Sequence, residues 1–370
     1  MKSVGIICEY NPFHNGHLYH IKKVKELYPN HLIILVLGGN FTQRGEVSLI
    51  DKWKKTDIAL NYVDLVIELP FVFASQSADL FAKGSIDILK SLEVEALIFG
   101  SEDNDVDKLE NLARVQESHE YNSLVKKYLD DGLNYPTSLS KALNEICGYS
   151  VISPNDLLGL SYVKNLIGTN IKPISIKRTN DYLNKELGGE ISSGTSIRKA
   201  LKEGHDVKKY VPLESYKYLN NVHFIEDYFD LIKYKIISED ISKYQTVDEG
   251  IHNRLKKVIN DANSIDELIS MVKTKRYTYN KISRMLVHIL TGFTKEEASN
   301  IETSYIRVLG FNKNGQKYLS EIRKRCPLPI ITNFEKNNKL LDIESRVSDI
   351  YNLKKKDDLL SEHQHVPIIH

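Results

Sequence analysis

Short apolar runs alternate with helical repeats through the first half of the chain. Each run is rich in β-branched residues and ends at glycine, proline or a polar side chain, as strands buried on both faces do. Five such strands are predicted, at Val4–Glu9, His31–Gly39, Asp64–Pro70, Ala96–Gly100 and Pro173–Arg178. Apolar residues at helical spacing predict helices between them, at His17–Leu27, Lys52–Asn61, Asp79–Leu92 and Leu109–Leu129.

This alternation predicts an α/β domain whose parallel sheet is covered by helices on both faces. In such sheets, ligands bind beyond the carboxyl ends of the strands. After Tyr210–Leu219 the pattern changes, and from about Asp227 onward it is mostly helical and rich in Lys, Asn and Tyr. We therefore expect a first domain over residues 1–215, a mainly α-helical domain over residues 216–355 and a flexible tail over residues 356–370.

Composition narrows the class of protein. The chain has 370 residues, of which 41% are hydrophobic and 27% are charged, as in ordinary soluble proteins. A net charge of +1 excludes a uniformly basic surface but allows local basic patches. Cys8, Cys147 and Cys326 form neither a disulfide framework nor a zinc knuckle, which indicates a reducing compartment. Since no signal-peptide pattern and no run of ~18 apolar residues is present, we expect a cytoplasmic protein.

The stretch His14-Asn15-Gly16-His17 lies where the first predicted strand ends and the first helix begins. Amides at a helix start attract phosphate, and two imidazoles three residues apart can face the same phosphate. We favour this nucleotide interpretation over two others. A zinc site is less favoured, because no Cys or carboxylate in this stretch lies at a matching distance and Glu9 precedes the loop. The remaining interpretation is that these histidines cap and pack a helix.

A second polar stretch, Glu186–Leu201, carries four hydroxyl residues and an arginine at another predicted helix start, namely Ser192, Ser193, Thr195, Ser196 and Arg198. Hydroxyls and free amides at a helix N-terminus form a phosphate cradle, and an arginine adds a charged fork. Serine and threonine are also the commonest helix caps, so this stretch alone favours an ordinary cap. Together with the upstream H-x-G-H pattern, phosphate binding is the favoured interpretation.

Two basic clusters lie in the C-terminal half. In Val272–Leu290, cations interleave with tyrosines that can stack on bases: Lys273, Lys275, Arg276, Lys281 and Arg284, with Tyr277 and Tyr279. The second cluster consists of Arg307, Lys313, Lys317, Arg323, Lys324 and Arg325. A solvated helix face would explain either cluster by itself. Because two such clusters are present, RNA binding and a solvated helix face are equally favoured interpretations.

The H-x-G-H pattern with Ile191-Ser192-Ser193-Gly194-Thr195-Ser196-Ile197-Arg198 resembles the HIGH-type nucleotidyltransferase superfamily over roughly the first 205 residues. Longer segments resemble one family within it, the tRNA(Met) cytidine acetate ligases, over nearly the whole chain. These segments are GIICEYNPFHNGH, Gly38–Leu60, Asp64–Gly84, Leu97–Glu102, Ser153–Leu166, Ile176–Tyr182, Thr274–Leu290 and Tyr305–Leu319. The resemblance implies a Rossmann-like parallel-sheet nucleotidyltransferase (HUP/HIGH) domain, followed by a helical tRNA-binding domain.

The resemblance also implies an activity. Acetate would attack the α-phosphate of ATP to give acetyl-adenylate and pyrophosphate, and the wobble cytidine of elongator tRNA(Met) would then become N4-acetylcytidine with release of AMP. His14, His17 and Arg178 would be catalytic. Including the second stretch, the ATP site would comprise Ile7, Cys8, Glu9, Tyr10, Asn11, Pro12, Phe13, His14, Asn15, Gly16, His17, His20, Gly100, Asn155, Arg178, Ser193 and Ser196.

The remaining site predictions are less direct. Asn40, Gln43 and Arg44 follow the second strand at the predicted ligand edge and are candidates for acetate or cytidine contact. Nearby, Val47 and Leu49 stand where the family more often has Pro and Ala. From sequence alone, Asn155 is better explained as a helix cap, since it follows Pro154. Mg²⁺ is expected with ATP, although no carboxylate cluster identifies its ligands.

Two other functions remain open. The first is a small-molecule adenylyltransferase of the same superfamily, which truncation near residue 215 would spare. The second is a non-catalytic RNA-binding protein with a relic nucleotide fold, which would show no ATP binding. The tail histidines His363, His365 and His370 are discounted as a metal site, because a terminal tail lacks fixed geometry.

Overall fold

The computed structural model describes residues 1–151, 153–178, 191–334, 338–354 and 360–370. Eight strands of this described chain form one sheet in the order β5-β4-β1-β2-β3-β6-β7, and β8 pairs with β6. The strands are β1 (Ser3–Cys8), β2 (Leu32–Gly38), β3 (Leu65–Leu69), β4 (Ala96–Ser101), β5 (Lys172–Lys177), β6 (Ile306–Phe311), β7 (Ile330–Ile331) and β8 (Ile368–Ile369). The first five run parallel, so their carboxyl ends share one edge.

Helices cover both faces of this sheet. In chain order the described helices are α1 (Asn15–Leu27), α2 (Lys52–Ala59), α3 (Phe71–Ala74), α4 (Ala78–Ser91), α5 (Val106–Val115), α6 (His119–Asp130), α7 (Tyr135–Cys147), α8 (Pro154–Leu166), α9 (Gly194–Lys202), α10 (Leu213–Tyr216), α11 (Phe229–Ser238), α12 (Ile251–Val258), α13 (Ile265–Val272), α14 (Tyr279–Thr291), α15 (Lys295–Ala298), α16 (Lys313–Ile322) and α17 (Lys339–Asn352). The α/β prediction is confirmed. No described helix is long and apolar enough to cross a membrane.

The continuous apolar run of β2 explains why the sheet needs a packed layer on each face. Ile34 and Val36 belong to the core cluster on one face, whereas Ile33, Leu35 and Leu37 belong to the cluster on the other. All five side chains are almost fully buried. Successive residues of a strand point to opposite faces, so a run without polar residues is stable only between two layers.

The boundaries of the five predicted strands agree with the structure to within two residues. The predicted helix Leu109–Leu129 is wrong as a single helix, because α5 and α6 replace it. Ser118 begins the second helix: its hydroxyl accepts a hydrogen bond from the backbone N–H of Tyr121 at 3.2 Å. A capping serine therefore interrupts an apolar repeat that continues across the break.

The C-terminal half is mainly helical, but it also completes the sheet. Strand β6 pairs antiparallel with β3, and β7 and β8 pair with β6. The predicted flexible tail is wrong for residues 360–370, because β8 lies in the sheet and His365 stacks on Trp53 with ring centroids 4.1 Å apart. Residues 356–359 of that prediction lie outside the described residues.

A buried group of charges joins the two halves of the chain. Lys52 and Glu68 come from α2 and β3, whereas Arg307, Glu344 and Glu362 come from the C-terminal half. The Arg307 guanidinium contacts Glu68 at 3.0 Å and Glu362 at 2.6 Å, and the Lys52 ammonium lies 3.1 Å from Glu362. Separating the two halves would leave some of these buried charges uncompensated, which is strongly destabilising. The ion pairs therefore stabilise the arrangement in which the two halves are packed together.

Candidate active site

A cavity of about 860 Å³ opens at the carboxyl ends of β1, β4 and β5. Cys8, Gly100 and Ile176 line its base at the ends of these three strands. The H-x-G-H turn forms a second wall, and the start of α9 forms a third. The cavity therefore lies where a parallel sheet places its ligand, and the two predicted phosphate-binding stretches meet there.

His14 and His17 cap α1 reciprocally. The Nδ1 atom of His14 accepts from the N–H of Gly16 at 3.0 Å, and Nδ1 of His17 accepts from the N–H of His14 at 3.2 Å. The two rings lie 3.9 Å apart. Because each Nδ1 accepts, each neutral ring carries its proton on Nε2, which makes Nε2–H the donor available to a ligand.

Both imidazoles are neutral at physiological pH. Burial, followed by the charges of Arg178 and Arg198, lowers the pKa of His14 to about 3. Burial and His14 lower the pKa of His17 well below its usual value. The expected positive charge around a phosphate therefore comes from the arginines, while the histidines supply neutral hydrogen-bond donors.

Gly16 has a role that the sequence did not suggest. A Cβ atom at this position would lie 2.8 Å from Cε1 of His14 and 3.3 Å from Cγ2 of Ile191. Glycine was expected to admit a nucleotide, but the contact shows that it makes room for the His14 ring and for the chain entering α9.

The predicted ATP segment divides into residues that line the cavity and residues that lie behind it. Lining positions are Ile7, Cys8, Glu9, Tyr10, Asn11, His14, Gly16, His17 and His20, together with Tyr19, which was not predicted. Pro12, Phe13 and Asn15 lie behind this wall. Phe13 is fully buried and stacks on Tyr62, and the Asn15 amide donates to the carbonyl of Lys209 at 3.0 Å. These three residues are therefore packing residues of the turn.

A Lys side chain fixes the turn after β1, where Tyr10 adopts a left-handed conformation with a φ of 49°. The Lys55 ammonium donates to the carbonyls of Glu9, Gly38 and Gly39 at 2.9, 2.7 and 2.6 Å. It thus ties the ends of β1 and β2 together. Burial lowers the pKa of Lys55 to about 7. Sequence reasoning missed Lys55, because only the fold brings it to these carbonyls.

Arg178 and Asn155 converge on Glu102. The Nε atom of Arg178 lies 3.6 Å from the Glu102 carboxylate, and the Asn155 amide donates to the same oxygen. The α8 cap is Ser153, so the interpretation of Asn155 as the cap is wrong; Asn155 lines the cavity instead. A Cβ at Gly100 would meet Cγ of Arg178 at 3.4 Å, an ordinary van der Waals contact, so Arg178 lies directly over the end of β4.

The polar stretch Glu186–Leu201 caps α9 and is hydrogen-bonded to the turn after β1. The Ser193 hydroxyl accepts from the N–H of Ser196 at 3.1 Å, so Ser193 caps α9 at the cavity wall. Ser196 is 1% exposed and lies behind the wall, which does not support its predicted ATP contact. Arg198 donates to the carbonyl of Asn11 and to Glu46, both at 2.8 Å, and thereby joins the two motifs. Residues 186–190 lie outside the described residues.

The loop after β2 reaches the cavity through Gln43 and Arg44. Glu9 accepts from the N–H of Gln43 at 2.6 Å, and burial raises the pKa of this carboxyl. Asn40 is instead a structural residue behind the loop. Its side-chain oxygen accepts from the N–H of Lys52 at 2.9 Å, and its amide donates to Ser348 at 3.3 Å. Its predicted contact with acetate or cytidine is therefore not supported.

The first basic cluster partly faces the cavity. Arg276, Lys281 and Arg284 line it, as the H-x-G-H turn does. Tyr277 is only 5% exposed, and its hydroxyl donates to the carbonyl of Asp248 at 2.7 Å, so the predicted stacking on RNA is wrong for this ring. Lys273, Lys275 and Tyr279 are exposed.

The second basic cluster lies far from the cavity. Arg307 is 2% exposed inside the buried charge group, so its predicted contact with tRNA is wrong. Helix α16 packs at the amino ends of the strands, where Arg325 pairs with Glu93 at 3.0 Å. The exposed members of the cluster, Lys313, Lys317, Arg323 and Lys324, therefore share neither the edge nor the mouth of the cavity.

Comparison with known proteins agrees with this geometry. The family described as HIGH Nucleotidyl Transferase matches residues 1–365. The tRNA(Met) cytidine acetate ligase of Anoxybacillus flavithermus is 39% identical over 379 residues, covering 95% of this chain and 94% of its own. The Bacillus subtilis protein of the same name is 36% identical, covering 100% and 97%.

Solved structures give the same result. TmcAL from Thermotoga maritima in its apo form I has a TM-score of 0.93 at 31% identity, covering 100% of this chain and 99% of that one. The same protein bound with alpha-thio ATP, in form II, has a TM-score of 0.90 at the same identity and coverage. The chain therefore belongs to the HIGH nucleotidyltransferase family and, within it, to the tRNA(Met) cytidine acetate ligases.

Proposed function

We propose that this protein activates acetate with ATP as acetyl-adenylate and transfers the acetyl group to N4 of the wobble cytidine of elongator tRNA(Met). One observation carries the proposal: a single cavity is lined both by the H-x-G-H turn and by Lys281 and Arg284 of α14. A nucleotide and an RNA strand can therefore meet in one space. The likeness to TmcAL bound with alpha-thio ATP supports ATP as the nucleotide.

In the first step, an acetate oxygen attacks the α-phosphorus and pyrophosphate leaves with the electron pair of the broken P–O bond. Acetate is already ionised at neutral pH, so this step needs no general base. The enzyme needs donors where charge builds on the α-phosphate. The Nε2–H groups of His14 and His17 and the guanidinium of Arg178 supply them, each such donor being worth about 100- to 1,000-fold in rate.

In the second step, N4 of cytidine attacks the acyl carbon and AMP leaves. The amine must lose one proton, and we assign Glu9 as its acceptor. Glu9 lines the cavity, one of its oxygens accepts from the Gln43 N–H, and burial raises the pKa of its carboxyl, which makes the carboxylate a stronger base. Gln43 and Arg44 lie on the same loop and are proposed to hold the acetate.

Mg²⁺ is proposed to accompany ATP. Among the described residues, no group of three or more His, Cys, Asp or Glu side chains is placed to hold a metal ion. Mg²⁺ keeps several waters and is commonly bound through substrate phosphates, so phosphate oxygens would be its principal ligands here. The chemistry that it supplies is charge neutralisation on the phosphates.

The activity is tested by incubating tRNA(Met) transcript with the protein, ATP and acetate, and analysing the nucleosides by mass spectrometry. N4-acetylcytidine is expected with acetate and ATP. A requirement for acetyl-CoA, or tRNA without an acetyl group, would overturn the proposal. His17→Asn sharpens the test, because asparagine can still accept from the N–H of His14 but lacks Nε2–H. We expect a loss of about 100- to 1,000-fold. His205→Ala, at a histidine whose side chain is 65% exposed, is the matched control.

The alternative of a small-molecule adenylyltransferase needs a different test from truncation near residue 215. That cut would remove β6 from the edge of β3 and would strip the buried pair of Lys52 and Glu68 of its C-terminal partners Arg307 and Glu362. Loss of activity would then report unfolding. Lys275→Ala keeps the fold, because this side chain is exposed and only the backbone carbonyl of Lys275 contacts the turn between α6 and α7, and it is expected to weaken tRNA acetylation selectively.

A further inference from the structure

One part of the cavity lining is apolar, and we call this part the apolar arm. This arm is lined by Leu80 of α4, by Leu139 and Leu143 of α7, and by Leu158 of α8. Phosphates have no favourable partners among such side chains. A flat, weakly polar ring does, so the arm suits a nucleobase.

Tyr135 lies at the mouth of this arm as the first residue of α7. It lines the cavity and is 48% exposed, and Leu80 beside the same opening is 37% exposed. Both side chains are therefore accessible to a ligand that enters the cavity. No motif distinguishes this tyrosine from the other 20 in the chain.

The first basic cluster holds Tyr135 in place. Asn134 caps α7 by accepting from the N–H of Thr137 at 3.0 Å, and its amide donates to the carbonyl of Lys275 at 3.2 Å. Arg276 donates to the carbonyl of Leu129, at the end of α6, at 3.1 Å. The turn between α6 and α7 is therefore attached to the basic segment, and Tyr135 follows the residue that makes one of these attachments.

An aromatic ring beside cations at a cavity mouth is the arrangement that binds single-stranded RNA. A base also has to leave its stack before it can reach a reactive group inside a protein. We propose that Tyr135 is the stacking platform for the cytosine that enters the cavity, and that the turn between α6 and α7 forms part of the RNA-binding surface. This inference rests on the proposed function and adds a residue that sets substrate binding.

The test separates acetate activation from transfer. Acetate-dependent exchange of labelled pyrophosphate into ATP, measured without tRNA, reports the first step. Acetylation of tRNA(Met) transcript, measured as kcat/KM for tRNA, reports both steps. Tyr135→Ala is expected to lower kcat/KM for tRNA about 5- to 150-fold, the factor that corresponds to the stacking of one base. The KM for ATP in exchange should stay within about twofold of wild type.

Two further variants make the result decisive. Tyr135→Phe retains the ring face and should keep most of the tRNA activity. Tyr234→Ala is the matched control, because Tyr234 is 67% exposed on α11, away from the cavity wall, and should behave as wild type. An unchanged kcat/KM for tRNA in Tyr135→Ala would overturn the proposal, as would an equal loss in Tyr135→Phe.

A rise in the KM for ATP with Tyr135→Ala would also overturn it, by showing that the ring contacts adenine. Wild-type protein that catalyses neither exchange nor acetylation would refute the proposed function itself, and the platform with it. Exchange without any tRNA acetylation by wild type would refute only the RNA part. The two failures are therefore distinguishable.

Discussion

Gly45 packs against α14, the helix that carries Lys281 and Arg284, and its replacement by alanine tests that contact. A Cβ at Gly45 would lie 2.2 Å from the backbone N of Arg284 and 2.3 Å from the carbonyl carbon of Ser283. Both atoms belong to the backbone of α14, which cannot rotate away. The Ser283 hydroxyl also donates to the Gly45 carbonyl at 2.7 Å.

The expected cost has two parts. Gly45 has a φ of 78°, a left-handed conformation that costs an alanine about 1–2 kcal/mol. Pushing the loop away from α14 adds about 1–3 kcal/mol, as overpacking does elsewhere. Gly204 isolates the first part, because its φ is 77° and a Cβ there would meet nothing within 4 Å. We therefore expect losses of about 2–5 kcal/mol for Gly45→Ala and about 1–2 kcal/mol for Gly204→Ala.

Urea unfolding of the two variants and wild type measures the difference between these losses. Acetate-dependent pyrophosphate exchange should fall in Gly45→Ala, because the displaced loop carries Gln43 and Arg44, and should be unchanged in Gly204→Ala. Equal destabilisation of the two variants would refute the contact between the loop and α14. Full exchange activity in a destabilised Gly45→Ala variant would refute the role of the loop in acetate activation.

Three further predictions follow from burial and charge. Arg307→Met should lower the free energy of unfolding by about 3–5 kcal/mol and leave tRNA affinity unchanged. The control Lys313→Met should change the free energy of unfolding by no more than about 0.5 kcal/mol. Urea unfolding measures the stabilities, and titration with tRNA measures the affinity. Burial lowers the pKa of His288 to about 4, so the unfolded chain alone takes up a proton as the pH falls below 6.5. The wild-type protein therefore loses stability as the pH falls, whereas a variant without His288 does not lose this part. The destabilisation caused by His288→Asn should for that reason be roughly 2 kcal/mol smaller at pH 5 than at pH 7.5. Lys281→Gln should reduce the slope of the logarithm of the tRNA-binding constant, plotted against the logarithm of the salt concentration, by about one.

The sheet and the capping turn could be predicted because their signals are local. The unbroken apolar run in β2 requires a layer on each face, and the polar stretch His14–His17 directly after the first apolar run marks the passage from the first strand to the first helix. Ser118 was missed as a helix start because the apolar repeat continues through it. Its hydroxyl decides the break, and a capping serine resembles any other serine in a sequence.

Burial could not be predicted where it depends on distant partners. Arg307 and Tyr277 occur in runs of cations and tyrosines that resemble an RNA-binding surface, yet both are buried. The first is neutralised by Glu68 and Glu362, and the second donates to the Asp248 carbonyl. Only the fold brings these partners together. In the same way, Glu102 and Lys55 hold the site from positions that no motif marks.

The most direct test of the central claim uses acetate labelled with ¹⁸O in both oxygens, together with ATP and tRNA(Met). An acetyl-adenylate leaves one acetate oxygen on AMP and the other in the acetyl group. We therefore predict AMP that carries one ¹⁸O, an N4-acetylcytidine that carries one ¹⁸O, and equal amounts of the two products. AMP without the label, or acetylation that proceeds only with acetyl-CoA, would contradict the proposal.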